Sequence, residues 1–169
     1  MKSKLQKIAF GGGCHWCTEA VFQSLKGVAK VEQGFVASIA ENDEFSEAVI
    51  VHFNPEIITL KVLIEVHLYT HKSTSNHTMR KKYRSAIYVF NLKQEEDAIL
   101  FLNDFQKVFN GALITQVLKF KRFRISAKQF QNYYYTNPEK PFCKTFINPK
   151  LKLVLKQFSS YSNSSKIGV

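Results

Sequence analysis

Three consecutive glycines followed at once by a cysteine constrain this chain more than any other feature of its sequence. The short apolar run at residues 8–10 stops at the glycines of residues 11–13. From Cys14 onwards the pattern changes, because apolar side chains recur at helical spacing until Gly27 closes the segment. The sequence therefore predicts a strand, a tight glycine turn and a helix that starts at Cys14.

The predicted position of Cys14 favours a reactive thiol. The first turn of a helix presents unpaired N–H groups and a partial positive charge, and both lower the pKa of a cysteine placed there. Glycines allow a tight fold and leave the sulfur open to approach. Cys17 follows one helical turn later, within reach of a disulfide with an oxidised Cys14. The motif thus indicates thiol redox chemistry.

Two other interpretations of the cysteine pair stay open. Both side chains can be buried as small hydrophobic residues, although such packing does not require three preceding glycines. Cys14 and Cys17 also have the spacing of half a zinc site, and His67 and His71 are four residues apart on a predicted helix. Because the sequence has no second C-x-x-C motif, we favour a redox pair without a metal and expect His67 to pack or cap.

The composition suits one folded domain with a basic surface. Of the 169 residues 45% are hydrophobic, and 24 Lys and Arg against 13 Asp and Glu give a net charge of +11. This balance fits nucleic acid, an anionic membrane or an acidic protein as a partner. The positive residues are scattered, which favours an ordinary solvated surface. Residues 119–124 alternate basic and aromatic side chains, a pattern that fits base stacking and equally a strand with one buried face.

The cysteine count and the hydropathy predict a cytoplasmic protein. Three cysteines do not make an even disulfide framework, and no secretory apolar segment precedes them. No apolar run approaches the ~20 residues that cross a bilayer. In the cytoplasm thiols stay reduced, so a cysteine pair there is catalytic or metal-binding rather than structural. We expect a monomer with no membrane association.

Strands alternate with helices along the rest of the chain. The predicted strands are residues 7–10, 28–38, 47–53, 84–90 and 114–125, the last as a strand or a hairpin, and the main predicted helices are residues 14–27, 61–69 and 94–108. Thr59 is placed to cap the second helix. This order predicts an α/β or α+β sheet with helices packed on it. Residues 1–156 are predicted to form a single domain, and the Ser-rich residues 157–169 a disordered end.

Four segments of the sequence together resemble the methionine sulfoxide reductase A family. The motif that contains Cys14 is similar to the family's Gly-Cys-Phe-Trp-(Gly/Cys)-x-Glu. The matching segments, in the expected order, are residues 12–28, residues 46–49 with Asn54-Pro55, residues 82–88 with Tyr83-Arg84-Ser85, and residues 132–150 with Pro141-Phe142-Cys143. Each segment alone is weak, but the four together are specific and span about residues 5–156.

The resemblance implies a fold and a reaction. The fold is a two-layer plait on a mixed α/β sheet with a ferredoxin-like core. By the matching motifs, the Cys14 thiolate attacks the sulfur of methionine S-sulfoxide, free or in a protein. Glu47 protonates the sulfoxide oxygen, and Tyr83 hydrogen-bonds the same oxygen. An acid that keeps its proton near neutral pH requires a partly buried, apolar site.

The resemblance also implies how the catalytic thiol is regenerated without a bound cofactor. Cys14 becomes a sulfenic acid, which a second thiol converts to a disulfide. Cys17 is the local candidate and Cys143, in the tail, the remote one. We predict a relay from Cys14 and Cys17 to an exposed Cys143. Thioredoxin or a similar dithiol then reduces the enzyme.

The implied substrate site departs from the family pattern. Gly13, His15, Trp16 and His77 are its candidate residues. The family has Phe where this chain has His15, so one side of the methyl pocket is expected to be more polar and able to titrate. The family's Asp is replaced by Thr78, a change that can shift work to the neighbouring His77, and the expected tyrosine of the loop at residues 39–45 is missing.

These departures keep two alternative functions open. The first is a dithiol oxidoreductase or redox sensor on the same scaffold, without sulfoxide reduction. The second is a basic nucleic-acid-binding module, which depends on the net charge of +11 and on residues 119–124. The scattered charge makes this second alternative the less favoured one.

Overall fold

The computed structural model describes residues 4–163 and 165, and within them a mixed sheet of six strands. The strands are β1 (Gln6–Gly11), β2 (Val28–Ala37), β3 (Ser46–Phe53), β4 (Ala86–Val89), β5 (Gln116–Lys119) and β6 (Arg122–Ile125). The helices are α1 (His15–Gln23), α2 (Leu60–Thr70), α3 (Leu92–Val108), α4 (Tyr133–Thr136) and α5 (Asn148–Gln157). Short 3-10 turns lie at Ala40–Asn42 and Lys128–Phe130, and a π-helical turn lies at Cys143–Ile147. The predicted strands and the three main helices are confirmed to within a few residues, apart from the last strand.

The strand order is β5-β4-β1-β3-β2-β6. Strands β1 and β3 lie at the centre and pair antiparallel, with Phe10 opposite Val49. Among the strands of the described residues, β4 and β5 pair parallel and all other neighbours pair antiparallel. The motif cysteine therefore follows directly from a central strand, where the sheet holds the backbone on both sides.

Apolar side chains cover both faces of the central strands. Ile8 and Phe10 of β1 face the helices, in the larger core cluster, whereas Ala9 lies in a smaller cluster on the other face with Ile50 and Tyr88. Two buried faces explain why β1 and β3 read as nearly continuous apolar runs. With its helices on the larger cluster, the molecule has the predicted two-layer mixed α/β architecture.

The prediction of a single strand or hairpin at residues 114–125 is wrong. Strands β5 and β6 lie at opposite edges of the sheet and are joined by Phe120 and Lys121 alone. The N–H of Phe120 donates to the Val89 carbonyl of β4, and that of Lys121 donates to the Ala37 carbonyl of β2. The sheet is therefore curled enough for two connecting residues to span from one edge to the other. Periodicity reports which face a residue uses but not which strand it joins.

The basic and aromatic side chains around β6 stack on one another. The guanidinium of Arg124 lies 4.7 Å from the ring centre of Phe35 and 4.8 Å from that of Phe45. The guanidinium of Arg122 lies 5.1 Å from the same Phe45 ring. Phe123 packs against the smaller core cluster. These contacts support the interpretation of this stretch as an edge strand with one covered face.

The C-terminal segment is more ordered than the sequence predicts. Helix α5 begins at Asn148 with Pro149 in its first turn, and Phe158 beyond its end is buried. The N–H of Lys26 donates to the Tyr161 carbonyl at 2.7 Å, and Ser162 forms a bridge with Leu25. The prediction of disorder from residue 157 is therefore wrong for residues 157–163, while residues 164 and 166–169 lie outside the described residues. Within the described part of the chain, no helix is both long and apolar enough to cross a bilayer.

Candidate active site

Cys14 occupies the N-cap position of α1, directly after the glycine turn that ends β1. Its carbonyl accepts the N–H of Cys17 at 3.1 Å and that of Thr18 at 3.2 Å, which closes the first helical turn. A Cβ on Gly12 would lie 2.4 Å from the ring of His71, whereas a Cβ on Gly13 would have no atom within 4 Å. The first glycine thus permits close packing, and the second leaves open space beside the thiol.

The two motif cysteines have opposite electrostatic surroundings. A hydrogen bond from Cys17 and the backbone N–H groups of Trp16 and Cys17 lower the pKa of the Cys14 thiol, against the opposing effects of burial and of the Glu47 charge. The same side-chain contact, together with burial, raises the pKa of Cys17. Of the two thiols, Cys14 is therefore the more readily ionised, and Cys17 is the protonated donor beside it. This is the electrostatic arrangement expected of a nucleophile with a neighbouring resolving thiol.

Cys143 is fully buried, so the prediction of an exposed tail thiol is wrong. It lies at the start of the π-helical turn, and its Sγ donates to the Asn137 carbonyl at 3.5 Å. Burial raises the pKa of this thiol. Ile147, Leu151 and the rest of the larger core cluster enclose it. All three cysteines are free thiols, and Cys143 becomes accessible only if the tail moves.

Glu47 is buried on β3, opposite Phe35 of β2. Its surroundings are polar, in contrast to the apolar site that the sequence predicts. The backbone N–H of His15 donates to Oε1 at 3.2 Å, and Nε2 of the His15 ring lies 3.3 Å from the same oxygen. The ammonium of Lys82 lies 3.8 Å from Oε2. The structure thus brings Glu47 to the start of α1, where its charge acts on Cys14.

The two aromatic residues after Cys14 point away from the open space beside it. The ring of His15 packs edge-on against Phe35 and is buried next to Glu47. The indole of Trp16 stacks on Tyr133 at 4.1 Å between ring centres and meets the edge of Phe142. Of the residues described, neither His15 nor Trp16 lines the cleft at Cys14, so their predicted role as its walls is not seen.

The cleft at Cys14 has a volume of about 410 Å³ and a mainly apolar lining. Tyr83 and His77 lie on it, as the sequence predicts, and Gly13 forms part of its floor. Its further lining residues, which sequence reasoning missed, are Met79, Phe142, Phe146, His71, Lys72 and Lys150. An apolar cleft that ends at a thiol with a lowered pKa suits a thioether side chain with an oxidised sulfur.

Arg80 fixes the loop that carries Tyr83 and His77. Its guanidinium donates to the carbonyls of Gly12 and Tyr83 through one nitrogen, at 2.9 and 2.8 Å. The other two nitrogens donate to the carbonyls of Ser75 and Lys72. The loop is therefore tied to the glycine turn through one side chain. Nothing in the local sequence distinguishes this arginine from the basic residues around it.

Glu19 holds the C-terminal part of the chain against α1. Its carboxylate is buried and accepts the side-chain N–H of Gln33 and the backbone N–H groups of Asn132 and Tyr133, at 2.9, 3.0 and 3.2 Å. Burial raises the pKa of this carboxyl, against the lowering effect of the three donors. The signal that the sequence offered for this role is an acidic residue directly before the apolar Ala20, Val21 and Phe22.

His67 and His71 are engaged by protein oxygens. Nε2 of His67 lies 2.8 Å from the Gly11 carbonyl, and the two rings stack at 4.1 Å. Nδ1 of His71 faces the His67 carbonyl, and its Nε2 lies 2.8 Å from Oγ of Ser85. Burial lowers the pKa of His67 well below its usual range and that of His71 to about 4. His67 packs as the sequence predicts, and within the described part of the chain no cluster of three or more ligating side chains forms.

A family model and curated proteins similar to this chain both match peptide methionine sulfoxide reductases. The family model of peptide methionine sulfoxide reductase matches residues 6–162. The curated peptide methionine sulfoxide reductase MsrA of Deinococcus radiodurans is 32% identical over 162 residues, which cover 86% of this chain and 79% of that protein.

Solved structures show the same fold. Methionine sulfoxide reductase A of Corynebacterium diphtheriae superposes with a TM-score of 0.71 at 21% identity, covering 81% of this chain and 77% of that one. Mxr1 of Saccharomyces cerevisiae, solved in complex with Trx2, superposes with a TM-score of 0.62 at 18% identity, covering 77% and 88%.

Proposed function

Because the chain belongs to the peptide methionine sulfoxide reductase family, we propose that it reduces methionine S-sulfoxide to methionine with Cys14 as the nucleophile. The observation that carries the proposal is a thiol with a lowered pKa at the mouth of an apolar cleft. The cleft accommodates a methionine side chain by burying its methyl and methylene groups. Both free and protein-bound sulfoxides fit this chemistry, since the recognised group is the side chain.

The proposed reaction consumes one thiolate and one proton. Sγ of Cys14 attacks the sulfoxide sulfur, whose oxygen takes the proton and passes to Sγ. The sulfoxide sulfur gains two electrons and leaves as the thioether, while Cys14 loses two and becomes a sulfenic acid. Glu47 is the proposed proton source. Tyr83, with its ring on the cleft, is the proposed hydrogen-bond donor to the sulfoxide oxygen, and His77 on the same loop contacts the substrate.

Regeneration of the thiolate is proposed to begin at Cys17. Its protonated thiol lies beside Cys14, so it displaces the hydroxyl of the sulfenic acid as water and forms the disulfide. When the tail moves, the Cys143 thiol attacks the disulfide between Cys14 and Cys17, forms a new disulfide with one of these two cysteines and releases the other as a thiol. By likeness to the Mxr1 protein that was solved with Trx2, we propose a thioredoxin as the external reductant, with no bound cofactor. We further propose a cytoplasmic monomer that does not bind nucleic acid.

Turnover of separated S and R epimers of methionine sulfoxide tests the proposal. With dithiothreitol as reductant, the wild type is expected to reduce the S epimer only. Cys14→Ser is expected to lower this turnover by at least about 10³-fold, while Cys143→Ser, the matched control, keeps it. Turnover that survives in Cys14→Ser contradicts the proposal. A wild type that cycles its thiols but reduces neither epimer would favour a dithiol oxidoreductase or redox sensor instead.

A further inference from the structure

The imidazole of His15 is buried with both ring nitrogens against oxygen atoms. Nδ1 lies 2.7 Å from the carbonyl oxygen of Gly34 in β2. Nε2 lies 3.3 Å from Oε1 of Glu47, and each of these two side chains is only 8% exposed. The ring therefore connects the backbone of one strand to the carboxyl group of the next.

The contact with Gly34 fixes where the ring proton sits. A carbonyl oxygen only accepts hydrogen bonds, so Nδ1 must carry a hydrogen and donate it. In a neutral imidazole Nε2 then has only a lone pair. This lone pair faces an oxygen of Glu47 across 3.3 Å. An ionised Glu47 would leave two acceptors facing each other in a buried place, at the cost of an unmade hydrogen bond.

We propose that His15 and Glu47 hold one proton between them at neutral pH and that this proton is the one passed to the sulfoxide oxygen. One stored proton is what the reaction requires, because it consumes a single proton for each Cys14 thiolate. His15 is a positioning residue in this scheme, because it contacts Glu47 and lies off the cleft. The inference deepens the proposed reductase function and rests on it for the last step only.

The charged groups around the pair decide on which atom the proton rests. The ammonium of Lys82 lies 3.8 Å from Oε2 of Glu47, and the Cys14 thiol is on the adjacent residue. Arg124 is separated from the imidazole by the ring of Phe35, which contacts both. Burial, together with the Lys82 charge, lowers the pKa of His15 against the opposing effects of the Gly34 carbonyl and of the Glu47 charge. Because the Gly34 carbonyl holds the ring hydrogen on Nδ1, a neutral imidazole offers Nε2 as the acceptor for a hydrogen on Oε1 of Glu47, which is where the proposal places the shared proton.

After the transfer, the structure stabilises the resulting carboxylate. The backbone N–H of His15 already donates to Oε1 at 3.2 Å, and Lys82 provides the counter-charge. The Lys82 side chain is 57% exposed, so solvent reaches the pair along it and can return the proton. After each cycle the pair is therefore left as a stabilised carboxylate beside a neutral imidazole, and solvent then returns the proton.

NMR of the protein labelled with 15N in its histidines and 13C in its glutamates tests the shared proton without any substrate. We expect His15 to be the Nδ1–H tautomer. The chemical shifts of its Nε2 and of the Glu47 carboxyl carbon are expected to change together in one titration step. In Glu47→Gln the amide donates to Nε2, so His15 is expected to stay neutral from pH 5 to pH 10. An Nε2–H tautomer, or a Glu47 step that leaves His15 unchanged, would overturn the proposal.

Single-turnover kinetics test the catalytic role of the pair. The rate at which the reduced enzyme forms methionine in one turnover is measured from pH 6 to pH 10. This rate is expected to fall at the pH where His15 and Glu47 lose their shared proton. In His15→Phe this fall is expected about one pH unit lower than in the wild type, because Lys82 then favours the carboxylate unopposed. His52→Phe is the matched control, since His52 pairs with Glu32 at 3.0 Å on the surface of the sheet, away from the cleft.

A failure of the shared-proton inference can be distinguished from a failure of the proposed reductase function. If His15→Phe and the wild type lose activity at the same pH, the shared proton plays no part in catalysis and the inference is wrong. If neither protein forms methionine at any pH, the proposed reductase function fails, while the NMR result still decides whether the proton is shared.

Discussion

Two of the sides of the cleft beside Cys14 differ in origin. The turn side consists of residues 12–14 and Cys17, which follow one another in the chain. The tail side consists of Phe142, Phe146 and Lys150, more than a hundred residues later. The turn side is held by backbone geometry between a central strand and a helix, whereas the contacts that hold the tail against the start of α1 involve side chains.

The turn side determines the reactivity of the Cys14 thiol, whereas the tail side provides part of the cleft wall that a substrate would contact. The features that lower the pKa of Cys14 all lie within α1 itself. The tail is attached to this helix by the carboxylate of Glu19 and by the stack of Tyr133 on Trp16. Changes in the tail can therefore alter the cleft, and can expose Cys143, without changing the groups that lower the pKa of Cys14.

Loss of the Glu19 carboxylate should show the largest effect on stability. Glu19→Ala removes the acceptor of one buried and two partly buried donors, so we expect a loss of about 3 kcal/mol in the free energy of unfolding. Urea denaturation measures it. The matched control is Glu139→Ala, because Glu139 contacts Lys144 at 2.8 Å on the exposed surface of the same tail. The control should change stability by less than about 0.5 kcal/mol, and equal losses in both variants would contradict the assigned role of Glu19.

The two glycines next to Cys14 should respond differently to alanine. Gly12→Ala drives a methyl group into the ring of His71, at an expected cost of about 2–3 kcal/mol in unfolding free energy. Gly13→Ala extends into open space and should leave stability within about 0.5 kcal/mol of the wild type. Comparable destabilisation by both substitutions would show that the turn side is not held by this contact.

Acid should destabilise the protein through the two buried histidines that pack against the glycines beside the turn side. Burial lowers the pKa of His71 from its ordinary 6.5 to about 4, so the unfolded chain binds a proton that the folded protein excludes. Stability is complete above pH 6.5 and falls as the pH drops towards 4. Between pH 7.5 and pH 5 the loss from His71 should be roughly 2 kcal/mol, and His67 adds in the same direction. Denaturation at both pH values should show a smaller drop in His71→Gln, and an equal drop would exclude this origin.

Replacement of the buried tail thiol should have the smallest effect. Cys143→Ser is expected to leave the first turnover unchanged and to slow thioredoxin-driven recycling by about fivefold, because the disulfide between Cys14 and Cys17 is then the only one presented. Rapid-quench measurement of the first methionine and steady-state NADPH consumption separate the two phases. Unchanged recycling would remove Cys143 from the relay.

Most of the secondary structure could be predicted because its signals are local. The apolar run before the glycines, the alternation in β3 and the cap at Thr59, whose side chain accepts the N–H of Val62, each depend on neighbouring residues. The partners of β5 and β6 could not be predicted, since strand pairing depends on the curl of the whole sheet. Helix α5 was missed as well, because its basic residues made a short amphipathic segment resemble a polar tail.

The sequence by itself determined the position of the proposed nucleophile, because a glycine turn and a helix N-terminus are made by adjacent residues. It also identified the family and, through the family's motifs, Glu47 and Tyr83. Only the tertiary structure decided the surroundings of these groups. Burial and partners come from distant segments, so the polar site of Glu47, the burial of Cys143 and the contact of His15 with Gly34 and Glu47 follow from the way the strands and the tail meet.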